Sequence, residues 1–152
     1  MCYGGETHDC TATNPFMTSA AQSGSVQDCK CGPGSTTYNI NSCAACPAGS
    51  YCPGNDVIHL CPQDSTSDAQ STSITDCACD GGYQGSLGGP CTLCTENTFC
   101  SGGIMDYCPV NSYSLTGSSV KESCSCRAGF FGPNGGNCAI CTPNAYCLGG
   151  ES

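Results

Sequence analysis

The chain has 152 residues and a net charge of −9, with 12 acidic residues set against only Lys30, Lys121 and Arg127. Nineteen residues are Cys, Trp is absent, and charged residues make up 10% of the total. So few cations exclude nucleic-acid binding through phosphate contacts and disfavour anionic membrane surfaces. So few large apolar side chains exclude one sizeable core, and small modules of this kind rely on cross-links instead.

This cysteine content implies an oxidising compartment, because cytosolic thiols are kept reduced. The chain is therefore expected to be extracellular or secreted. No apolar run approaches the roughly 20 residues of a spanning helix, and none is built like a signal peptide. Direct membrane insertion is not expected, and the targeting segment of a secreted chain is expected to lie outside these residues.

In chain order, the cysteines define a repeat. Cys2, Cys10, Cys29, Cys31 and Cys43 form a partial module over residues 1–43, with a predicted strand at 35–40. A full module follows over 46–91, with Cys46, Cys52, Cys61, Cys77, Cys79 and Cys91 spaced C-x5-C-x8-C-x15-C-x-C-x11-C and a predicted strand at 82–85. The next module, 94–138, holds Cys94, Cys100, Cys108, Cys124, Cys126 and Cys138 in nearly the same spacing, with a predicted strand at 130–132. Residues 141–152 start a further module with Cys141 and Cys147. The period is 48 and then 47 residues.

Tyr51, Phe99 and Tyr146 each precede the second cysteine of a module, and Met1 holds that slot before Cys2. The opening MCYGGET matches the closing YCLGGES, as expected of a window cut from a longer array. Val26, Ile74 and Val120 recur shortly before the fourth cysteine and are expected to be buried. Gly and Pro punctuate the whole chain, so mostly loops with small two-stranded hairpins are expected. Only two residues separate modules: Ala44 and Ala45, Thr92 and Leu93, Ala139 and Ile140. Leu93 and Ile140 are expected to pack on the neighbouring module and stiffen the joint. Repeats that touch only their neighbours give an extended rod.

The segments CACDGGYQGSLGGPC (77–91) and CSCRAGFFGPNGGNC (124–138) resemble the second half of an EGF-like module, which reads C-x-C-x2-G-aromatic and then a turn. The first copy departs from it, because Gly34 is followed by Ser35. CPAGSYC and STSITDCAC resemble ephrin-receptor-like or growth-factor-receptor-like cysteine-rich repeats as well. Similar arrays occur in surface proteins of algae and other protists, including flagellar hairs, the mastigonemes. The EGF-like resemblance implies pairing of first with third, second with fourth and fifth with sixth cysteine: Cys46–Cys61, Cys52–Cys77, Cys79–Cys91, Cys94–Cys108, Cys100–Cys124 and Cys126–Cys138. It also implies Cys2–Cys29 and Cys31–Cys43, and leaves Cys10, Cys141 and Cys147 with partners outside these residues. Six cysteines allow 15 connectivities, so spacing alone does not fix the order.

The longest gap of each module is rich in hydroxyls, at residues 11–25, 64–75 and 111–123. Such a run is expected to be a solvated loop rather than core. It also offers O-glycosylation positions: Ser65, Thr66, Ser67, Ser71, Thr72, Ser73, Ser114, Thr116, Ser118 and Ser119.

No metal, cofactor or enzymatic chemistry is expected. The C-x2-C pairs Cys43/Cys46, Cys91/Cys94 and Cys138/Cys141 recur once per repeat rather than at zinc-ribbon spacing. No carboxylate precedes the first cysteine of a module, where calcium-binding EGF-like modules carry one. His8, His59 and Asp106 hold one equivalent position, which reads as a solvated surface site. The expected function is that of a structural extracellular protein, a segment of an array forming a rod or filament. Its partners would be neighbouring modules or copies of the same chain, with possible O-glycans. The alternative is a stalk or ligand-binding segment of a receptor or adhesion protein, for which Phe16, Phe130 and Phe131 would be the binding candidates.

Overall fold

The computed structural model describes residues 10–12, 14–19, 23, 25, 29–39 and 42–149. Met1, Cys2, His8 and Val26 lie outside them. The described chain is made of short strands and three one-turn 3-10 helices, at Cys10–Ala12, Ile74–Asp76 and Lys121–Ser123. Among the described residues, no helix is long and apolar enough to cross a membrane.

Two compact units are present. The first takes the described residues up to Cys61 together with Thr66–Cys77. It contains β1 (Met17–Thr18) paired with β2 (Lys30–Cys31), β3 (Ser35–Asn39) paired with β4 (Ser42–Ala45), and β5 (Ser50–Gly54) paired with β6 (Val57–Leu60). The short strands β7 (Ser65–Thr66) and β8 (Ala78–Cys79) lie where the chain passes from one unit to the other. The second unit takes Pro62–Ser65 and the described residues from Ala78 onward. It contains the pairs β9 (Tyr83–Gln84) with β10 (Thr92–Leu93), β11 (Thr98–Ser101) with β12 (Ile104–Tyr107), β13 (Ser112–Tyr113) with β14 (Ser125–Cys126), and β15 (Phe130–Phe131) with β16 (Ala139–Ile140). All seven of these pairs are antiparallel. The strands expected at 35–40, 82–85 and 130–132 appear as β3, β9 and β15, with Ile40 outside the described residues and the latter two shorter by one or two residues. The protein is a small disulfide-rich repeat fold.

Nine disulfides hold the described residues. Their order corrects the EGF-like expectation. Cys46 pairs with Cys52 and Cys61 with Cys77, rather than Cys46 with Cys61 and Cys52 with Cys77. Cys94 likewise pairs with Cys100 and Cys108 with Cys124. Cys29 pairs with Cys10, not Cys2, and Cys141 pairs with Cys147, so none of Cys10, Cys141 and Cys147 needs a partner elsewhere. The remaining bridges are Cys31–Cys43, Cys79–Cys91 and Cys126–Cys138, joining fifth to sixth cysteine.

The local order has a backbone cause. The five residues inside C-x5-C curl through a left-handed position at Gly49, Asn97 or Asn144, with φ of 76°, 62° and 64°. Gly and Asn tolerate that conformation best. The curl brings the second cysteine back to within 5.9 Å of the first, Cα to Cα, for Cys46 and Cys52, inside the range a disulfide spans. The fourth cysteine arrives from the 3-10 turn: the amide of Cys77 donates to the Ile74 carbonyl and that of Cys124 to the Lys121 carbonyl, both at 3.0 Å.

Sulfur forms the interior. Among the described residues, the largest fully buried side chains are Cys31, Cys46, Cys52, Cys77, Cys94, Cys100, Cys124, Cys126 and Ser35, and Met17 is the one long apolar side chain that is buried. Ile74 and Val120, expected to be buried, are 40% and 50% exposed. They sit in or beside the 3-10 turns, where the bridged cysteine already fills the interior. The bridges of each complete module close loops of 6, 16 and 12 residues. Loops of that size are worth about 2–3 kcal/mol each through the unfolded chain. Peptide mapping of the unreduced protein should recover Cys61–Cys77 and Cys108–Cys124 and no Cys52–Cys77 or Cys100–Cys124 linkage.

Candidate functional site

The recurrent feature of the structure is a joint centred on the glycine of C-x-C-x2-G. Gly34, Gly82 and Gly129 all adopt positive φ, at 77°, 89° and 86°. In that conformation both peptide groups flanking the glycine face the first loop of the following module. The amide of Gly34 donates to the Cys52 carbonyl at 2.9 Å, and the Gly34 carbonyl accepts from Cys46 at 2.9 Å. Gly82 repeats this with Cys100 at 2.9 Å and Cys94 at 2.8 Å, and Gly129 with Cys147 and Cys141, both at 2.9 Å. A Cβ on Gly34 would come within 2.7 Å of the Gln70 carbonyl oxygen, and one on Gly82 would collide with the carbonyl of Gly117. At Gly34 and Gly82 glycine is therefore required twice over, by conformation and by space, and at Gly129, where a Cβ would meet nothing, by conformation alone.

The two-residue links belong to the same joint. They are strands: Thr36 and Ser35 pair with Ala44 and Ala45, Gln84 and Tyr83 with Thr92 and Leu93, Phe131 and Phe130 with Ala139 and Ile140. The expectation that apolar packing by Leu93 and Ile140 stiffens the joint holds for one of the two: the half-exposed Leu93 side chain lies beside Gly117 of the following module, whereas Ile140 is 75% exposed. Backbone pairing and the bridge that closes each hairpin are what every link shares. The division between compact units accordingly falls within 62–78, inside the 46–91 segment, and not at Ala44–Ala45 or at Thr92 and Leu93.

Two side chains tie distant segments together, Asp56 across the first joint and Arg127 inside the 94–138 module, and carry no signal in the cysteine spacing. Asp56, in a left-handed turn with Asn55, accepts hydrogen bonds on one carboxylate oxygen from the Cys31 amide and the Thr37 hydroxyl, each at 2.9 Å. Arg127 donates from Nε to the Ser112 carbonyl at 3.1 Å and from a terminal nitrogen to the Asn97 side-chain oxygen at 2.5 Å, with its guanidinium 5.8 Å from the Tyr113 ring centre. A charged donor shared among three segments gives stronger bonds than a neutral one would. Only the tertiary structure reveals these partners, which lie 15 to 30 residues away in sequence.

The hydroxyl-rich loops are partly core, against expectation. Ser67 donates to the Ser50 carbonyl at 2.8 Å, Ser71 to Asp68 at 2.7 Å and Ser114 to Thr98 at 2.7 Å, and all three are buried. Serine fits there because its small hydroxyl reaches a carbonyl that water cannot. Ser73 caps the 3-10 turn that follows, with Asp76 returning the bond.

The Asp76 carboxylate accepts from the amides of Ser73 at 3.0 Å and Thr72 at 2.8 Å. These bonds, that from Ser73 first, hold its pKa below the ordinary 3.8. A depressed folded-state value means that the support for the turn is fully present above the unfolded value and fades as pH falls through the folded one.

The equivalent positions His59 and Asp106 lie on β6 and β12, opposite Tyr51 and Phe99. His59 stacks on Tyr51 with ring centres 5.1 Å apart, so it acts as a cross-strand packing partner. The C-x2-C pairs are split between different bridges. Among the described residues, the one grouping with metal-ligand spacing is Cys31, Cys43 and Asp56. Its two sulfurs are bonded to each other, and Asp56 is engaged as above. The arrangement is a structural cap. No family model, no curated protein and no solved structure matches the chain. The nine bridges assign it to an oxidising, extracellular or secretory setting.

Two outcomes follow for the joint and the turn. Gly82→Ala should destabilise the second unit by at least about 2 kcal/mol, because a forced left-handed alanine alone costs about that much and its Cβ also meets the Gly117 carbonyl, and should speed hydrogen exchange at the amides of residue 82 and Cys94. In NMR titration, the Thr72 and Ser73 amide shifts should follow a transition whose midpoint lies below the ordinary 3.8; Asp76→Asn should shift both at neutral pH.

Proposed function

We propose that the chain is a structural extracellular protein, a segment of a cysteine-rich repeat array whose stiff joints build a rod or filament such as a flagellar hair or cell-surface fibre. The carrying observation is the glycine joint, formed three times with the same pair of backbone hydrogen bonds. A joint built from backbone groups and a bridged hairpin has little freedom left to bend. Of the two resemblances, the bridge order departs from the EGF-like one, so the ephrin-receptor-like repeat carried by CPAGSYC and STSITDCAC is the one retained.

The mechanical consequence is specific. Bridges closing 6, 16 and 12 residues remove most of each 48-residue repeat from the extensible path. At roughly 3.5 Å per residue a reduced repeat extends to about 170 Å and an oxidised one to about 65 Å. Catalysis plays no part in this reading. Nothing in it requires a cofactor or a metal.

Negative-stain imaging of the secreted, oxidised protein tests it. Uniform thin fibres, lost after reduction, are the expected result. Single particles bearing a globular head would overturn it in favour of a receptor stalk.

A further inference from the structure

We propose that the loops between the third and fourth cysteines, 62–76 and 109–123, are enzymatic O-glycosylation sites whose acceptors are threonines alone: Thr66, Thr72, Thr75 and Thr116. This deepens the extracellular reading above and rests on it. Composition offers serines and threonines alike, and the structure separates them. All four threonines of the two loops are exposed, and no serine of either loop is.

The separation has a physical cause. The buried hydroxyls of Ser67, Ser71 and Ser114 each donate to a main-chain carbonyl, as does Ser112 to Pro109 at 2.6 Å. The half-buried Ser65 and Ser118 do the same, to the Pro62 and Leu115 carbonyls at 2.6 and 2.8 Å. Ser67 and Ser114 thereby hold the loops against strands β5 and β11, and the other hydroxyls close turns within the loops. At positions only 3–8% exposed the extra methyl of threonine has little room, which leaves threonine to the outer face. Thr66 and Thr116 have no hydrogen bond to their hydroxyls in the structure. The hydroxyl of Thr75 meets only that of Ser73, at 3.0 Å, and that of Thr72 lies 3.5 Å from the Asp76 carboxylate.

A glycosyltransferase must bring the anomeric carbon of a nucleotide sugar to the acceptor oxygen. The bond from that carbon to threonine Oγ1 forms as its bond to the phosphate oxygen breaks. The nucleoside diphosphate leaves, and the hydroxyl proton passes to an enzyme base or to the departing phosphate. A hydroxyl facing solvent can be approached in this way, whereas one pointing at a buried carbonyl cannot without unfolding a bridged loop. Sugars on Thr66, Thr72 and Thr75 would all decorate one loop, and Thr116 the equivalent loop of the next module.

The test is secretion of the full chain from two unrelated eukaryotic hosts, followed by intact mass and electron-transfer fragmentation. Hexose or N-acetylhexosamine increments on these threonines are expected. The fourfold variant Thr66→Val, Thr72→Val, Thr75→Val, Thr116→Val should lose every increment from the two loops, while unreduced peptide mapping still finds the bridges. Unmodified loops in both hosts, or sugar on any serine of either loop, would overturn the proposal. Unglycosylated fibres would sink this proposal and leave the filament reading standing; glycosylated particles without fibres would do the reverse.

Discussion

Local disulfide closure is the constraint on which this structure depends. Each cysteine pairs with its immediate successor along the described chain, so every bridge seals a loop of 6 to 19 residues before longer-range contacts are needed. The interior that results is sulfur surrounded by backbone. Large apolar side chains are left outside: Leu60, Tyr107, Val110 and Ile140 are all at least 75% exposed. A core of cystine asks little of the side chains between the cysteines, which is why loop sequences differ while the bridges keep their spacing.

The loops still have to be held together, and backbone hydrogen bonds do this. The glycine of C-x-C-x2-G offers both of its flanking peptide groups to the next hairpin. Ser67 and Ser114 of the hydroxyl-rich loops reach across to strand carbonyls from inside. Both devices use small residues at crowded sites, where a larger side chain would push segments apart. The hairpin closed by the fifth and sixth cysteines and the loop closed by the next two therefore form one structural piece, although the cysteine spacing invites a boundary between them. Chain order and structural grouping are out of phase by part of a module.

This phase shift matters for mechanics. A boundary at the two-residue link would make the link a hinge. With the link residues paired as strands, they become part of a bonded unit. Asp56 adds a side-chain tie at one joint and Arg127 adds one inside a module, and both are refinements of the common backbone plan.

By itself the sequence determined the repeat, its period, the disulfide-rich class and the places of β3, β9 and β15, because these follow from residue spacing and from turn-forming Gly, Asn and Pro. It also marked Gly34, Gly82 and Gly129 as a recurring motif. It left the bridge order open, since six thiols admit many pairings, and the choice fell to left-handed turns at Gly49, Asn97 and Asn144. Burial of Ser67, Ser71 and Ser114, exposure of Ile74 and Val120, and the partners of Asp56 and Arg127 were likewise decided only in three dimensions. In a chain with few apolar side chains, hydropathy says little about what lies inside. Hydrogen-bond partners far apart in sequence settle it, and these exist only once the loops are folded against one another.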